Sequence, residues 1–562
     1  MLRTCLAPLL LCAALLGWAP SAFALGNCNS DAYVRSFDAR LGGTRCVPLV
    51  ETAVVWAGGR QPLRLVTSEE SAGEPTLEYL VAPIRSLAER AGRAMNEMGG
   101  VEIPPVTIFL TSLPPPPELG ADEPTAALAR PFPDECEVVF YWSPEGESYD
   151  SLMFTLAHEL FHCISAKSFL SVYNHESAIW WSEGSAEYFA HLAYPGTSFS
   201  DGEVAEFDAG SPTQPLWSFT YSSAPFFFWL GQNEGPNAVS RLVHGLATGE
   251  GAAAEHAALR RMVSAEQWKR FGEAYLDGKI RQPGGRLMAS TPLPGALRRI
   301  TGPTTHRVAS QPFVLHRERL SFARGKLYTL QQTHIDAGLS VAFSNTPGVW
   351  IAPPDNVTAC REDVVYRVLA TTTDASGAAG YQIGQPPGMQ NEGACCLVGE
   401  WSPTPASREG EVAMLAEVGA GRIAAVGGSL SCEPPEGTWL LSFAADGTGS
   451  VDWQGFANRC ITRAQGGKME TTSVRNGTTG FEWSTIGPGA GTARYVENTV
   501  EMTINMTLGP MTVLDRTAPD AGPATESNGF AYQCTVDTLT VQGIYGLNYR
   551  QAEYTRVSEP AP

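Results

Sequence analysis

Between Leu77 and Met98 apolar residues return every three or four positions (Leu77, Leu80, Ile84, Leu87, Ala91, Met95, Met98), and Gly99-Gly100 closes the run. That spacing lines one face of a helix, which is predicted to start near Glu74. "VTIFL" (106–110) and "CEVVFYW" (136–142) are dense in β-branched and aromatic residues and read as strands. The stretch between them, "PPPPELGADEPTAALARPFP", fits neither period and reads as a loop. Helical periodicity resumes at Tyr149 and dominates to about residue 280, most clearly in "NAVSRLVHGLA" and "AEQWKRFGEAYLDGKI".

After "RQPGG" (281–285) the helical period disappears. Short runs such as "KLYTLQQ", "LSVAF" and "YRVLATTT" alternate with Gly, Pro and Asn turns, the texture of a β-sandwich. A second β unit begins at "CEPPEGTWLLSFAADGTGSVDW" and continues to the C-terminal "LNYRQAEYTRV". The expected organisation is therefore multidomain: a leader over 25–70, an α+β domain over 71–300, a β-sandwich-like domain over 301–430 and a small β-barrel over 431–562.

The chain opens with Arg3, an apolar run from Leu6 to Trp18 and then Ala22-Phe23-Ala24, the layout of a secretory signal peptide spanning 1–24. No later run reaches the ~20 apolar residues of a membrane helix, so the expectation is an exported protein, secreted or periplasmic, with no membrane span. Arginine greatly outnumbers lysine, which points to a GC-rich bacterial source. The formal net charge of −20 argues against nucleic acid or an anionic membrane surface as partner, since both require basic patches. Of the 12 cysteines, Cys5 and Cys12 fall in the signal segment; the even remainder, with no CxxC pair, reads as disulfides. Cys28 and Cys46 are near enough in sequence to pair.

Chemistry concentrates in "FTLAHELFHCI" (154–164). On a helix His158 and His162 lie one turn apart and point the same way, so both imidazoles can reach one Zn²⁺. Glu159 sits about 100° around the helix, placed to flank the ion rather than ligate it. A third ligand is expected in "WWSEGSAEYFAHL" (180–192), where Glu183 and Glu187 stand one turn apart and either can reach the ion. The acid that does not ligate can accept the free ring N–H of a histidine ligand.

HELFH followed by W-x-E-G-x-A-E resembles the gluzincin zinc metallopeptidases, the thermolysin-like and aminopeptidase-N-like superfamily. Over roughly residues 75–285 the resemblance implies a gluzincin-like catalytic domain. It assigns His158, His162 and Glu183 as ligands of one Zn²⁺, Glu159 as general base and Glu187 as the acid behind a histidine ligand. The metzincin pattern is excluded, because Ser165 and Ser168 stand where its glycine and third histidine belong. In "FTYSSAPFFFWLGQNEG" (219–235), Tyr221 resembles the tyrosine that opens a later helix in aminopeptidase-like members and donates to the oxyanion. Here Ala224 replaces the small glycine of that pattern.

Several further expectations follow. "CEVVFYW" is expected to form the sheet edge beside the active-site helix, where a peptide adds as an extra strand. Cys136 and Cys163 are positioned to brace the site by a disulfide. His175 is a candidate transition-state donor, and His191 is expected to pair with Glu187 or with solvent. No Gly-Ala-Met-Glu-Asn exopeptidase signature occurs, which favours an endopeptidase acting on peptides or proteins. Gly437-Thr438-Trp439 and Arg556 loosely resemble the first and last strands of a lipocalin-like barrel, where the arginine stacks on the tryptophan; such a barrel either holds a small apolar ligand or is filled. The competing function is a catalytically retired peptidase scaffold that binds a surface, polysaccharide or lipid through its β domains.

Overall fold

A computed structural model of the protein describes residues 46–68, 79–111, 127–131, 134–141, 149–169, 178–197, 201–246, 252–288, 295–360, 362–385, 394–487, 489–520, 527–535, 537–544 and 551–558. The expected signal peptide, Cys28, His175 and the expected helix start at Glu74 lie outside the described residues. The protein is multidomain, with mixed α and β content, and separates into two compact units, Met1–Leu293 and Pro294–Pro562.

The first unit is built on a five-stranded sheet of order β1-β2-β3-β5-β4: Cys46–Trp56, Gly59–Ser68, Val106–Thr111, Ala127–Pro131 and Cys136–Tyr141 for β1 to β5. Strands β2, β3 and β5 run parallel, while β1 and β4 pair antiparallel at the two edges. Two expectations change here. The segment expected as a leader forms the β1–β2 hairpin, because "TAVVW" and "LRLVTS" carry β-forming residues on either side of the Ala57-Gly58 turn. "CEVVFYW" is an interior strand rather than the edge; the edge is "ALARP", inside the stretch expected to be loop. Pro131 ends that strand without cost, since an edge residue need not donate to a ladder.

Helix α1 (Val81–Met98) buries the predicted stripe and lies close on β1, where Gly92 leaves no room for a Cβ against the Val55 carbonyl. The remaining helices are α2 (Tyr149–Ser168), α3 (Ile179–Ala193), α4 (Asp201–Gly210), α5 (Ala224–Glu234), α6 (Pro236–Leu246), α7 (Ala252–Met262) and α8 (Ala265–Leu276). Ser264 caps α8 in a reciprocal capping box with Gln267. Nearly every residue of α3 is buried, so this helix is packed on all sides rather than along one stripe.

In the second unit, sheets of five and four strands between Ala296 and Gly384 face each other as a sandwich. Their shared core includes Phe322, Tyr328, Phe343, Tyr366 and Tyr381. Strand Ala296–Ile300 already pairs within it, so the sandwich starts before residue 301. The barrel also starts earlier than residue 431, at β6 (Gly399–Pro403). It continues through β7 (Ser429–Cys432), β8 (Glu436–Phe443), β9 (Thr448–Ala464), β10 (Gly467–Gly487), β11 (Ala490–Asn498), β12 (Glu501–Leu508), β13 (Met511–Pro519), β14 (Ser527–Cys534), β15 (Thr538–Gln542) and β16 (Ala552–Ser558). Pairing of β9 with β10 closes a ring through β8, β6, β16, β15, β14 and β11.

The barrel interior is filled, with Trp401, Trp439, Trp453, Phe481, Trp483, Tyr532 and Tyr554 all buried. Arg556 does lie over a tryptophan, but over Trp401 at 4.1 Å, and its guanidinium donates to the Cys396 and Val398 carbonyls. The Gly-x-Trp pattern occurs three times, and the first copy, Gly348-Val349-Trp350, lies outside the barrel. Gly399-Glu400-Trp401 is the copy on the strand that pairs with β16, whereas Trp439 packs on Trp453 and Phe456. Between β6 and β7 runs a helix the sequence reading missed, α9 (Pro405–Ala424), capped by Thr404 and started by Pro405.

Four disulfides occur among the described residues: Cys136–Cys163, Cys360–Cys395, Cys396–Cys534 and Cys432–Cys460. They are compatible with an exported protein. No helix among the described residues is long and apolar enough to cross a membrane. Because the first unit has its own sheet and buried helices, residues 25–293 expressed alone under oxidising conditions are expected to melt cooperatively by circular dichroism. A chain that precipitates with its Cys136–Cys163 bond intact would show that the second unit completes its core.

Candidate active site

Helices α2 and α3 bring the two sequence motifs together. His158 and His162 project from α2, and the carboxylate of Glu183 reaches both from α3: its Oε2 stands 3.0 Å from His158 Nε2 and 3.4 Å from His162 Nε2. The two Nε2 atoms are 3.1 Å apart. Donor atoms around a tetrahedral ion bound at ~2.0–2.1 Å stand about 3.3 Å from one another. The triangle of two imidazole nitrogens and one carboxylate oxygen therefore has the dimensions of one face of such a site, and its donor set suits Zn²⁺. His158, Glu159 and His162 also offer atoms within 4.8 Å of one another.

The far side of each imidazole is engaged as well. His158 Nδ1 lies 3.0 Å from Glu187 Oε1, so this nitrogen carries a proton, and Nε2 is the atom directed at Glu183 and His162. Burial disfavours an imidazolium at His158, yet Glu183 and Glu187 outweigh it and raise its pKa well above the ordinary value. Burial likewise pushes Glu183 upward, but His162 and His158 outweigh it and hold that carboxyl far below the usual range. The cluster thus keeps Glu183 ionised, and it demands a positive charge among its converging lone pairs, whether a proton or a metal ion. His162 Nδ1 lies 3.4 Å from the Ser182 hydroxyl. Ser182 escaped the sequence reading, although it directly precedes Glu183.

Glu159 stays beside this triangle without joining it and is held from the sheet edge, where the Ala129 backbone N–H donates to its Oε2 at 2.7 Å. Ala129 is opposite Val138 in the β4–β5 pair, and Cys136 spends its own N–H on the Pro105 carbonyl. The outward-facing residues of β4 are therefore Ala127, Ala129 and Pro131, by the alternation of an antiparallel ladder. A backbone donor of this kind leaves no side-chain signature in the sequence.

Tyr221 opens the short turn Tyr221–Ser223 that leads into α5, with its ring 5.6 Å from that of His158. It is 45 % exposed, while Ser222 and Ser223 beside it are fully buried. Partial burial, and then the charges of Glu183, Glu159 and Glu187, push its pKa upward, so the phenol keeps its proton as a donor. This turn can approach α3 because residue 184 is glycine: a Cβ there would overlap Ser223 Oγ and sit 2.7 Å from the Phe227 ring. Ser223 Oγ donates to the Trp180 carbonyl at 2.5 Å and fixes the contact. Further along the same interface, a Cβ on Gly231 would run into the Tyr188 hydroxyl.

The disulfide Cys136–Cys163 ties α2, at the residue after His162, to the start of β5. His191 is not at solvent. It is fully buried between Phe154 and Phe228 at ring distances of 4.7 and 5.2 Å, with Nδ1 3.3 Å from Thr197 Oγ1. Burial pushes its pKa down to about 4 against the opposing pull of Glu187, so it stays neutral at pH 7.

No protein-family model matches the chain, and a search of curated proteins finds no match to it either. The packing at Gly184 makes a direct expectation. Gly184→Ala forces the Tyr221 turn off α3 and lowers stability by ~1–3 kcal/mol, the usual range for overpacking a tight site. Chemical denaturation measures this, and an unchanged midpoint would show that the turn moves freely.

Proposed function

We propose that the protein is an exported zinc-dependent metallopeptidase, an endopeptidase of gluzincin type, with His158, His162 and Glu183 holding one Zn²⁺. The observation that carries this reading is the 3.0–3.4 Å triangle of His158 Nε2, His162 Nε2 and Glu183 Oε2 beside a carboxylate that stays outside it. When bound, zinc lowers the pKa of a water molecule and polarises a peptide carbonyl.

The chain's own residues supply the remaining chemistry. Glu159 is held at Oε2 by the Ala129 N–H, which leaves Oε1 to accept a proton from the attacking water and pass it to the departing amine. The Tyr221 phenol donates to the carbonyl oxygen as negative charge develops there. Glu187 fixes the tautomer and orientation of His158, and Ser182 plays the same part for His162. An extended peptide laid along β4 meets a single outward row of backbone groups and is carried past Glu159 as an added strand. The lack of an exopeptidase signature in the sequence suits an internal bond better than a chain end.

The test is metal content together with cleavage. The purified chain is expected to carry zinc and to hydrolyse casein, with a chelator abolishing activity and added zinc restoring it. Glu159→Gln should retain the metal and lose turnover by ~10²-fold or more, because the ligands are intact while the proton acceptor is gone. An active zinc-free chain, or a Glu159→Gln variant that still turns over well, would overturn the reading.

The two acids of α3 are separable. Glu183→Ala removes a direct ligand and should lose nearly all zinc on dialysis. Glu187→Ala removes only the partner of His158 Nδ1 and should weaken zinc affinity or activity by ~10–100-fold while leaving activity measurable when zinc is added. The opposite order of zinc affinities would exchange the two roles.

A further inference from the structure

We propose that a cavity between helix α9 and strand β16 of the barrel binds a small organic cation, an ammonium group on a short apolar stem, with Glu411 as its counter-charge. This site belongs to the second unit and does not depend on the peptidase reading. The cavity measures about 240 Å³, and its lining includes Ser407, Gly410, Glu411 and Met414 of α9 together with Gln551, just before β16, and Ala552 and Glu553 of β16. Glu411 is 8 % exposed, and its carboxylate has no hydrogen bond or ion pair among the described residues. A carboxylate largely withdrawn from water and without a partner among the described residues is costly.

Of the polar groups in the lining, the Ser407 hydroxyl is already committed. The Ser407 hydroxyl donates to the Glu553 carbonyl at 2.8 Å and accepts from the Glu553 N–H at 2.7 Å, which ties the first turn of α9 to β16. Among the described residues, Arg475 on β10 exerts a cationic pull on Glu411. Its Nε lies 3.5 Å from Asp520 and its guanidinium sits over the Trp453 ring at 5.2 Å, so its charge is matched elsewhere. Burial accordingly pushes the Glu411 pKa upward in spite of Arg475. At Gly410 a Cβ would meet nothing within 4 Å, so the helix surface beside Glu411 faces open space.

The chemistry of the lining selects the ligand. Its charged members, Glu411 and Glu553, are both acidic, which excludes an anion. Glu411 is the one buried acid of the lining, while Gln551 and Glu553 are exposed, so the cavity is not an enclosed shell of the 6–8 oxygens that Ca²⁺ requires. Gly410, Met414 and Ala552 provide apolar contact for a stem rather than further polar groups. The volume falls below the ~300–1,000 Å³ of drug-sized sites and suits a molecule of a few heavy atoms.

The probe is n-butylammonium, titrated into the full-length protein and followed by isothermal calorimetry. The expected result is saturable binding at one site per chain, with 1-butanol and butyrate at least tenfold weaker. Glu411→Gln keeps the shape and removes the charge; Gly410→Leu fills the space and favours the helix. Each is expected to keep the native circular dichroism spectrum and to weaken butylammonium tenfold or more. The inference is overturned if the wild-type protein gives no saturable heat, if 1-butanol binds as tightly as the ammonium, or if both variants bind like wild type.

Discussion

A single imidazole held between two carboxylates is the constraint around which the first unit is arranged. Glu183 and Glu187, one turn apart on α3, grip Nε2 and Nδ1 of His158 from across the α2–α3 interface at 3.0 Å each. Buried acids are expensive unless they are paired, so this arrangement survives only if the two helices keep that separation closely. The packing is consistent with such a demand. Helix α3 is enclosed on nearly all sides, Gly184 and Gly231 remove the side chains that would separate α3 from α5, and Cys136–Cys163 anchors α2 to the sheet beside His162. Loosening any of these contacts exposes the same weak point, a carboxylate without its cationic partner.

The site was more legible in the sequence than the fold around it, and the reason is geometric. Helical spacing puts His158 and His162 on one face without any tertiary information, and the same rule places Glu183 and Glu187 together. Residues that act through side chains at fixed local offsets therefore announce themselves. Glu159 and Tyr221 could be named, but their settings could not. The donor to Glu159 is a backbone N–H from a strand some thirty positions upstream in a Pro-rich stretch, where no periodicity survives. Edge strands need satisfy only one ladder, so "ALARP" forms β4 with a composition that reads as loop.

In the second unit the failures have a different origin. The β texture around residue 300 is unmistakable, yet helix α9 lies inside it, because a helix rich in Ala and Gly that packs on a sheet needs no strong apolar stripe. The Thr404-Pro405 start was the signal that could have found it. The tryptophan stacked by Arg556 was misassigned because Gly-x-Trp recurs at 399–401 and 437–439, and the strand neighbour of β16 decides between them. Strand adjacency is a long-range property that neither tripeptide contains. Recognising α9 also moves the start of the barrel to β6 and gives the barrel an outer wall.

Comparing the buried acids of the two units shows what distinguishes a site from a scaffold. Glu183 and Glu187 are enclosed with cationic or N–H partners that account for them, and His158 and His162 hold Glu183 ionised against its burial. Asp208 is explained equally well by the Tyr275 hydroxyl that donates to it at 3.0 Å. Glu411 is enclosed to a similar degree, but it lines a cavity and has no partner among the described residues, and burial moves its pKa upward against the pull of Arg475. A fold gains nothing in stability from an acid in that position, since an apolar side chain of the same size would pack there at lower cost. The two sets of carboxylates therefore differ in partnership among the described residues rather than in burial.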